Sequence, residues 1–197
     1  MKKATLVLAL LSAVTAIVVI ACNGSSANTT KETDPAFAYT SEQIAHGKYL
    51  ITIMGCGDCH TPLKMGLHGP EPDTSRLLSG HPAEMPLPPV DTNAIKNWVL
   101  FNHTTTAIAG PWGVSFTANL TSDATGIGNW SLGQFKKALK EGKLKGLDNN
   151  RTLLPPMPWP NYRNITDEDI TDLFAYLKST KPVKNLVPSA LPPGSFK

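Results

Sequence analysis

The sequence is poor in cysteine. Its 197 residues include only Cys22, Cys56 and Cys59, and just the last two lie close together. A tetrahedral zinc site would need a second pair of ligands at suitable spacing, and no other cysteine pair exists to supply it. The sequence also lacks an internal repeat, a phosphate-binding loop, a nucleotide-binding fingerprint and a nucleophile with its base. These absences argue against an enzyme with bond chemistry of its own.

A strong charge of either sign is also missing. The full sequence has 18 basic and 15 acidic residues, which gives a formal charge of +3 at pH 7. Lys2 and Lys3 lie in a segment that we expect to be removed, which leaves 16 basic against 15 acidic residues. We therefore expect no nucleic-acid partner, because nucleic-acid binding depends on a basic surface.

The N-terminus has the pattern of an export signal. Two lysines precede residues 4–21, a run of eighteen residues without a charge, which is barely long enough to span a bilayer as a helix. The run ends in VIAC, which resembles the lipobox of bacterial lipoproteins. We therefore expect residues 1–21 to be a signal peptide and Cys22 to carry lipid. An uncleaved anchor and a plain secretory signal are the alternatives.

Three segments follow this signal. Residues 22–40 are rich in Ser, Asn and Thr and are expected to form a flexible tether. Residues 41–185 are expected to form one folded domain, and residues 186–197 a Pro-rich C-terminal tail on its surface. The chain is thus predicted to be exported to the periplasm or another extracytoplasmic face and held on a membrane by its lipid.

The folded part is predicted to be all-α, with three to four helices and long Pro-rich loops. Helical patterns run from Ser41 to Gly55, from Ser131 to Gly142 and from Thr166 to Lys181, each with a capping residue at its start. No convincing run of alternating strand residues appears. The segment between the first two helices is therefore expected to be mostly loop, with one or two helical turns in the short apolar stretch from Ile95 to Phe101.

The only close cysteine pair belongs to the run CGDCH at residues 56–60, which matches the haem attachment motif C-x-x-C-H. Two thiols at this spacing reach the two vinyl groups on one porphyrin edge, and the next residue places an imidazole beneath the iron. A redox pair of thioredoxin type would follow a strand, whereas this pair follows a predicted helix. We therefore predict one covalently bound haem c, attached through Cys56 and Cys59 and ligated by His60. No cysteine would then be left for a disulfide.

Residues 41–185 resemble the single-haem cytochromes c that occur as exported carriers and as subunits beside membrane dehydrogenases. Besides CGDCH, the matching segments are Gly47-Lys48-Tyr49-Leu50, Asn119-Leu120-Thr121, Gly126-Ile127-Gly128, Phe135 to Gly142, Met157-Pro158-Trp159, Thr166-Asp167-Glu168-Asp169-Ile170 and Ala175-Tyr176-Leu177. The resemblance implies a cytochrome c fold whose first and last helices cross near the haem edge. Gly47 would permit close approach there, and Tyr49 and Tyr176 would pack at the crossing.

Met157 is the expected second axial ligand. It lies between two prolines just before the last helix, and a stiff loop suits a weak thioether bond. It also matches the ligand position of the family. Met85 is the main alternative, since Met54 and Met65 lie too close to the attachment site. A second histidine is a further alternative, with the candidates His46, His68, His81 and His103.

The imidazole of His60 also needs an acceptor for its other ring nitrogen. The pair Gly69-Pro70 resembles a Gly-Pro pair that fills this role in other cytochromes c through the proline carbonyl. We therefore expect Pro70 to accept this hydrogen bond.

A haem with both axial positions filled changes oxidation state but does not readily bind substrate. The predicted function is electron transfer, with a donor dehydrogenase or a terminal acceptor as redox partner. An open distal site for gas binding or redox catalysis is the alternative, and a structural haem domain is a third. An acidic partner could be steered by a group of lysines, which otherwise form a solvated helix face: Lys136, Lys137, Lys140, Lys143 and Lys145.

Overall fold

The structure is a computed structural model that describes residues 39–196. The predicted signal peptide, the lipidation site Cys22 and nearly all of the predicted tether lie outside this range. Within residues 39–196, no helix has the length and apolar character needed to cross a bilayer. The described residues from Tyr39 onward belong to one unit of the chain.

The first and last helices cross at close range. Helix α1 spans Ser41–Ile53 and follows the N-cap Thr40, whose hydroxyl accepts from the backbone of Gln43 in a capping box. In the sequence, two more α-helices lie between α1 and the last helix. A side chain at Gly47 would place its Cβ 1.9 Å from the backbone oxygen of Asp172 in the last helix. The predicted close approach at Gly47 is therefore confirmed.

The remaining helices are α2 at Cys56–His60, α3 at Leu132–Glu141 and α4 at Asp167–Ser179. Helix α3 starts at the N-cap Ser131 and ends at Gly142, which adopts the left-handed conformation that stops a helix. Apolar faces of α1, α3 and α4 meet in the main core. Its buried members are Ile51, Leu78, Ile127, Phe135, Leu139, Ile170, Leu173, Phe174 and Leu177.

The expectation of an all-α domain is wrong, because the described residues also contain two small antiparallel sheets. Strands β1 (Leu63–Gly66) and β2 (Gly69–Pro72) form a hairpin. Strands β3 (Leu100–Phe101), β4 (Ala107–Gly110) and β5 (Gly113–Phe116) form a second sheet in that order.

These strands gave no recognisable sequence pattern, for a physical reason. None exceeds four residues, and their burial does not alternate. Strand β1 is exposed or half-buried along its length, whereas all four residues of β4 are buried. A pattern of period two arises only where one face of a strand is buried and the other is wet.

The three-stranded sheet packs on a second, smaller core. Ile95, Ala109 and Val114 are its buried members. The C-terminal segment lies against the outer edge of this sheet, because Leu191 and Val114 exchange two backbone hydrogen bonds of 2.9 Å. The tail is thus fixed to the domain by strand pairing at this point.

Candidate functional site

The two motif cysteines lie on one short helix. Helix α2 starts after Gly55, whose φ of 67° turns the chain sharply away from α1. Three positions separate Cys56 from Cys59, so the two thiols project from nearly the same side of the helix. Both cysteines are free and half-buried. The predicted attachment residues are therefore brought together with both sulfur atoms available.

The thiols are not activated as redox nucleophiles. Burial raises the pKa of the Cys56 thiol to about 11. Burial also raises the pKa of Cys59, with a smaller contribution from the carboxylate of Asp58. Catalytic cysteine pairs have lowered thiol pKa values instead. The pair therefore remains protonated at neutral pH, which argues against a redox function of thioredoxin type.

His60 ends the same helix and is buried. Its Nδ1–H donates to the backbone oxygen of Ala118 at 2.8 Å. Burial lowers the pKa of His60, and the contact with Ala118 opposes this shift only in part. A neutral imidazole that donates through Nδ1 carries its lone pair on Nε2, which is the form that ligates a metal.

The prediction that Pro70 accepts the hydrogen bond from His60 is therefore wrong, because Ala118 is the acceptor. Pro70 is an exposed residue of strand β2. Local sequence does not reveal the contact, because 58 positions separate His60 from Ala118 and both sheets lie between them.

The segment that carries the Ala118 carbonyl is held by Asn119. This buried side chain accepts from the backbone N–H of Thr121 at 2.9 Å and from its hydroxyl at 2.7 Å. Its amide donates to the backbone oxygen of Val183 at 2.8 Å. The motif Asn119-Leu120-Thr121 was recognised in the sequence, and the structure shows what its asparagine does.

Met157 lies on the edge of the main core. It is half-buried and packs against the core cluster, as do Cys56 and Tyr162. Burial raises the pKa of the Tyr162 hydroxyl, and the nearby Cys56 and Cys59 add to the shift. Tyr162 is thus a residue beside the thiols that was not predicted from the sequence. Its position in a short turn after a proline-rich loop gave no signal.

The three other methionines of the described residues differ in their surroundings. The sulfur of Met85 lies 3.7 Å from the hydroxyl of Thr104 and 3.9 Å from the amide nitrogen of Asn102, next to the second sheet. Met65 is 79% exposed. Met54 packs against the main core directly before Gly55.

The four other histidines have partners or face solvent. The Nδ1 of His46 lies 2.8 Å from the carboxylate of Asp172, and that of His81 lies 2.9 Å from the hydroxyl of Thr106. His68 and His103 are exposed. Among the described residues, none of these four histidines has a hydrogen bond or ring contact with Cys56, Cys59 or His60.

The expected lysine group is partly neutralised by two carboxylates. Lys136 and Lys140 of α3 both contact Asp167, and Lys137 contacts Asp148. From the sequence, only Glu141 was expected to oppose these lysines. Asp167 lies 31 and 27 positions from its two lysines and Asp148 lies 11 positions from Lys137, so neither pair is apparent from the helix pattern alone.

Comparison with known proteins gives a consistent result. The family model for cytochrome c matches residues 44–181. The fructose dehydrogenase cytochrome subunit of Gluconobacter japonicus is 30% identical over 187 residues, which cover 94% of this chain and 31% of that protein. The cytochrome c subunit of the quinone-dependent alcohol dehydrogenase of Gluconobacter oxydans is 35% identical over 142 residues, which cover 71% of this chain and 22% of that protein.

The match to a third relative covers a shorter segment. One of the subunits of the nicotinate dehydrogenase of Pseudomonas putida is 39% identical over 84 residues, which cover 42% of this chain and 7% of that protein. In all three cases this chain spans less than a third of the relative's length.

A cytochrome c family member is expected to hold a c-type haem covalently and to use it in electron transfer. The residues present fit that group. Two unpaired thiols and an imidazole with a defined tautomer lie on a single helix, beside an apolar cluster that includes a methionine. The chain belongs to the cytochrome c family and resembles the cytochromes that are subunits of dehydrogenases.

Proposed function

We propose that this domain transfers single electrons through one haem c bound by Cys56 and Cys59, with His60 and Met157 as the axial ligands. The observation that carries the proposal is the hydrogen bond from His60 Nδ1 to Ala118 O, because it leaves Nε2 for the iron. When bound, the haem supplies an iron that alternates between the ferrous and ferric states. The reaction then needs no proton transfer or bond formation from the protein.

The two cysteines would fix the porphyrin edge. Each cysteine would hold the haem through a thioether bond, formed by addition of its S–H across one vinyl group. Helix α2 contributes by keeping Cys56, Cys59 and His60 in one rigid turn. Both cysteine residues are half-buried, which would leave the attachment edge partly shielded from water.

Met157 would close the other axial position. Support comes from its place in the apolar shell that also contains Cys56 and Tyr162. The Met85 sulfur, by contrast, contacts Thr104 and Asn102. A thioether ligand in an apolar surrounding favours the ferrous state and raises the potential.

The test compares Met157→Ala with Met85→Ala in the haem-loaded protein. We expect Met157→Ala to abolish the weak sulfur-to-iron absorption band at long wavelength, and Met85→Ala to retain it. Loss of the band in Met85→Ala, or its persistence in Met157→Ala, would contradict the ligand assignment.

An open distal site for gas binding or redox catalysis is the second candidate, since a missing sixth ligand would leave the iron free to bind small molecules. Carbon monoxide distinguishes the two. The reduced wild-type protein should bind it slowly or weakly, and Met157→Ala should bind it readily. Equal, fast binding by both proteins would favour the open site.

We further propose that the chain is exported and tethered to a membrane by lipid on Cys22, with a dehydrogenase as its electron donor. The lipobox-like VIAC run and the uncharged stretch before it support the tether. Three relatives bear the names of dehydrogenase subunits, which supports the partner. Wild-type protein should incorporate labelled fatty acid and sediment with membranes, whereas Cys22→Ala should do neither. Affinity capture of the native chain should then recover a dehydrogenase.

A further inference from the structure

Ser115 connects the three-stranded sheet to the loop that carries Met157. It is a buried residue of strand β5, and its hydroxyl lies 2.7 Å from the backbone oxygen of Pro155. A second acceptor, the oxygen of Ile108, lies at 3.3 Å. Since a hydroxyl has one proton to donate, the shorter contact with Pro155 is the stronger hydrogen bond.

The loop at residues 153–158 forms few backbone hydrogen bonds of its own. Pro155, Pro156 and Pro158 have no N–H group, so half of residues 153–158 donate no backbone hydrogen bond. The N–H of Met157 donates to Leu154 at 3.3 Å, which is a local contact within the loop. The N–H of Leu153 donates to Gly142 at 2.6 Å and fixes only the start of the loop. The Ser115 hydroxyl therefore adds a hydrogen-bond donor from outside the loop, two positions before Met157, beside the packing of Met157 on the main core.

The same sheet also contacts the haem attachment helix α2. Thr105 lies in the turn between β3 and β4, and its hydroxyl lies 2.8 Å from the backbone oxygen of Asp58 and 2.6 Å from that of Thr104. One small sheet thus contacts both the helix that carries His60 and the loop that carries Met157.

We propose that Ser115 is a positioning residue that holds the Met157 loop against this sheet and thereby keeps the methionine on the iron. The inference rests on the proposed Met157 ligation. An iron–thioether bond is weak, so the fraction of time for which the sulfur is bound depends on how well the loop is restrained. Loss of the Ser115 hydroxyl frees the Pro155 carbonyl and makes loop opening easier.

The test uses the ferric haem-loaded protein with imidazole as a competing ligand. Imidazole binds only when the methionine has left, so its apparent affinity and its limiting binding rate report loop opening. For Ser115→Ala we expect both to increase about five- to tenfold, the effect of losing one buried hydrogen bond. The long-wavelength band should remain in the absence of imidazole, because the methionine is still the intrinsic ligand.

Trp112→Phe is the matched control. The indole N–H of Trp112 donates to the Ser115 hydroxyl at 3.4 Å, so this variant disturbs the same site without removing the donor to the loop. We expect a change of less than twofold in imidazole affinity. An equal increase in both variants, or no increase in Ser115→Ala, would overturn the role of Ser115. Absence of the band from the wild type would instead refute the proposed Met157 ligation.

Discussion

His60 and Ala118 lie 58 positions apart, yet the imidazole of one donates to the backbone carbonyl of the other at 2.8 Å. The chain between them forms both small sheets and then returns to the attachment helix. A carbonyl in this position fixes the imidazole tautomer and its orientation and increases its basicity as a ligand. The segment between the haem motif and Asn119 therefore has a defined place in the site, because its last residues complete the surroundings of His60.

The first prediction concerns the side chain that positions this carbonyl. In Asn119→Ala the buried N–H of Thr121 loses its acceptor, and the oxygen of Val183 keeps only a longer contact of 3.4 Å with the Thr121 hydroxyl. We expect the free energy of unfolding of the haem-loaded protein to fall by about 2–3 kcal/mol, as measured by urea denaturation. A displaced carbonyl also polarises the Nδ1–H bond less, so the imidazole donates less electron density to the ferric iron. The reduction potential of the haem should therefore increase.

Asn161→Ala is the control for this change, since Asn161 is exposed. Its stability and potential should match the wild type. A normal potential in Asn119→Ala, despite lower stability, would show that Asn119 does not position the His60 acceptor.

The second prediction concerns the crossing of α1 and α4. A Cβ at Gly47 would lie 1.9 Å from a backbone oxygen, which forces the helices apart. We expect Gly47→Ala to lower the free energy of unfolding by about 3 kcal/mol or to prevent folding. Gly133→Ala is a matched control within a helix, because its nearest neighbour would be the Ser131 hydroxyl at 3.8 Å. That variant should gain about 0.5–1 kcal/mol from higher helix propensity.

The three long helices were predictable from the sequence for a physical reason. Helices α1, α3 and α4 have local signals, namely capping residues and apolar faces of helical period, although the cap of α1 is Thr40 and not the expected Ser41. Thr166 acts as the predicted cap of α4, because its hydroxyl accepts from the N–H of Asp169. Such features are encoded within about four residues of each other, so a single sequence is enough to recognise them.

The features that the sequence did not reveal depend on distant parts of the chain. The Ala118 acceptor, the Ser115–Pro155 contact and the carboxylate partners of the lysines join residues far apart in the sequence. Tyr49 shows a different limit. It was expected to pack at the helix crossing, but it is 59% exposed and lies beside the ring of His46. The helical pattern alone did not show which residues of α1 face α4 and which face solvent.

The third prediction concerns His46 and Asp172, which join α1 to α4. Asp172 is buried, and the Nδ1–H of His46 donates to its carboxylate at 2.8 Å. His46→Ala leaves that carboxylate without this partner and should lower the free energy of unfolding by about 1–2 kcal/mol. A double-mutant cycle with Asp172→Asn should give a coupling energy of about 1 kcal/mol. His103→Ala, at an exposed position, should be neutral. A coupling energy near zero would mean that the contact contributes nothing to stability.

The last prediction concerns the pH dependence of stability and rests on His81. This ring is 1% exposed, packs against Phe116 and bonds to Thr106 through Nδ1. Burial lowers the pKa of His81 below its ordinary value of 6.5, although a backbone contact with Met85 and the charge of Glu84 oppose the shift. Below about pH 6.5 the unfolded chain therefore binds more protons at this position than the folded chain does, until the pH falls below the folded pKa.

Proton uptake by the unfolded chain favours unfolding, so stability should be complete above pH 6.5 and should fall as the pH decreases below it. The slope due to this single group is at most about 1.4 kcal/mol per pH unit. In His81→Gln that contribution disappears, and the decrease between pH 7 and pH 5 should be smaller, even though the variant starts from a lower stability because it lacks the ring contact. His68→Gln removes an exposed histidine and should keep the wild-type slope. Urea denaturation of the haem-loaded proteins at several pH values measures these slopes, and equal slopes for wild type and His81→Gln would refute the assignment.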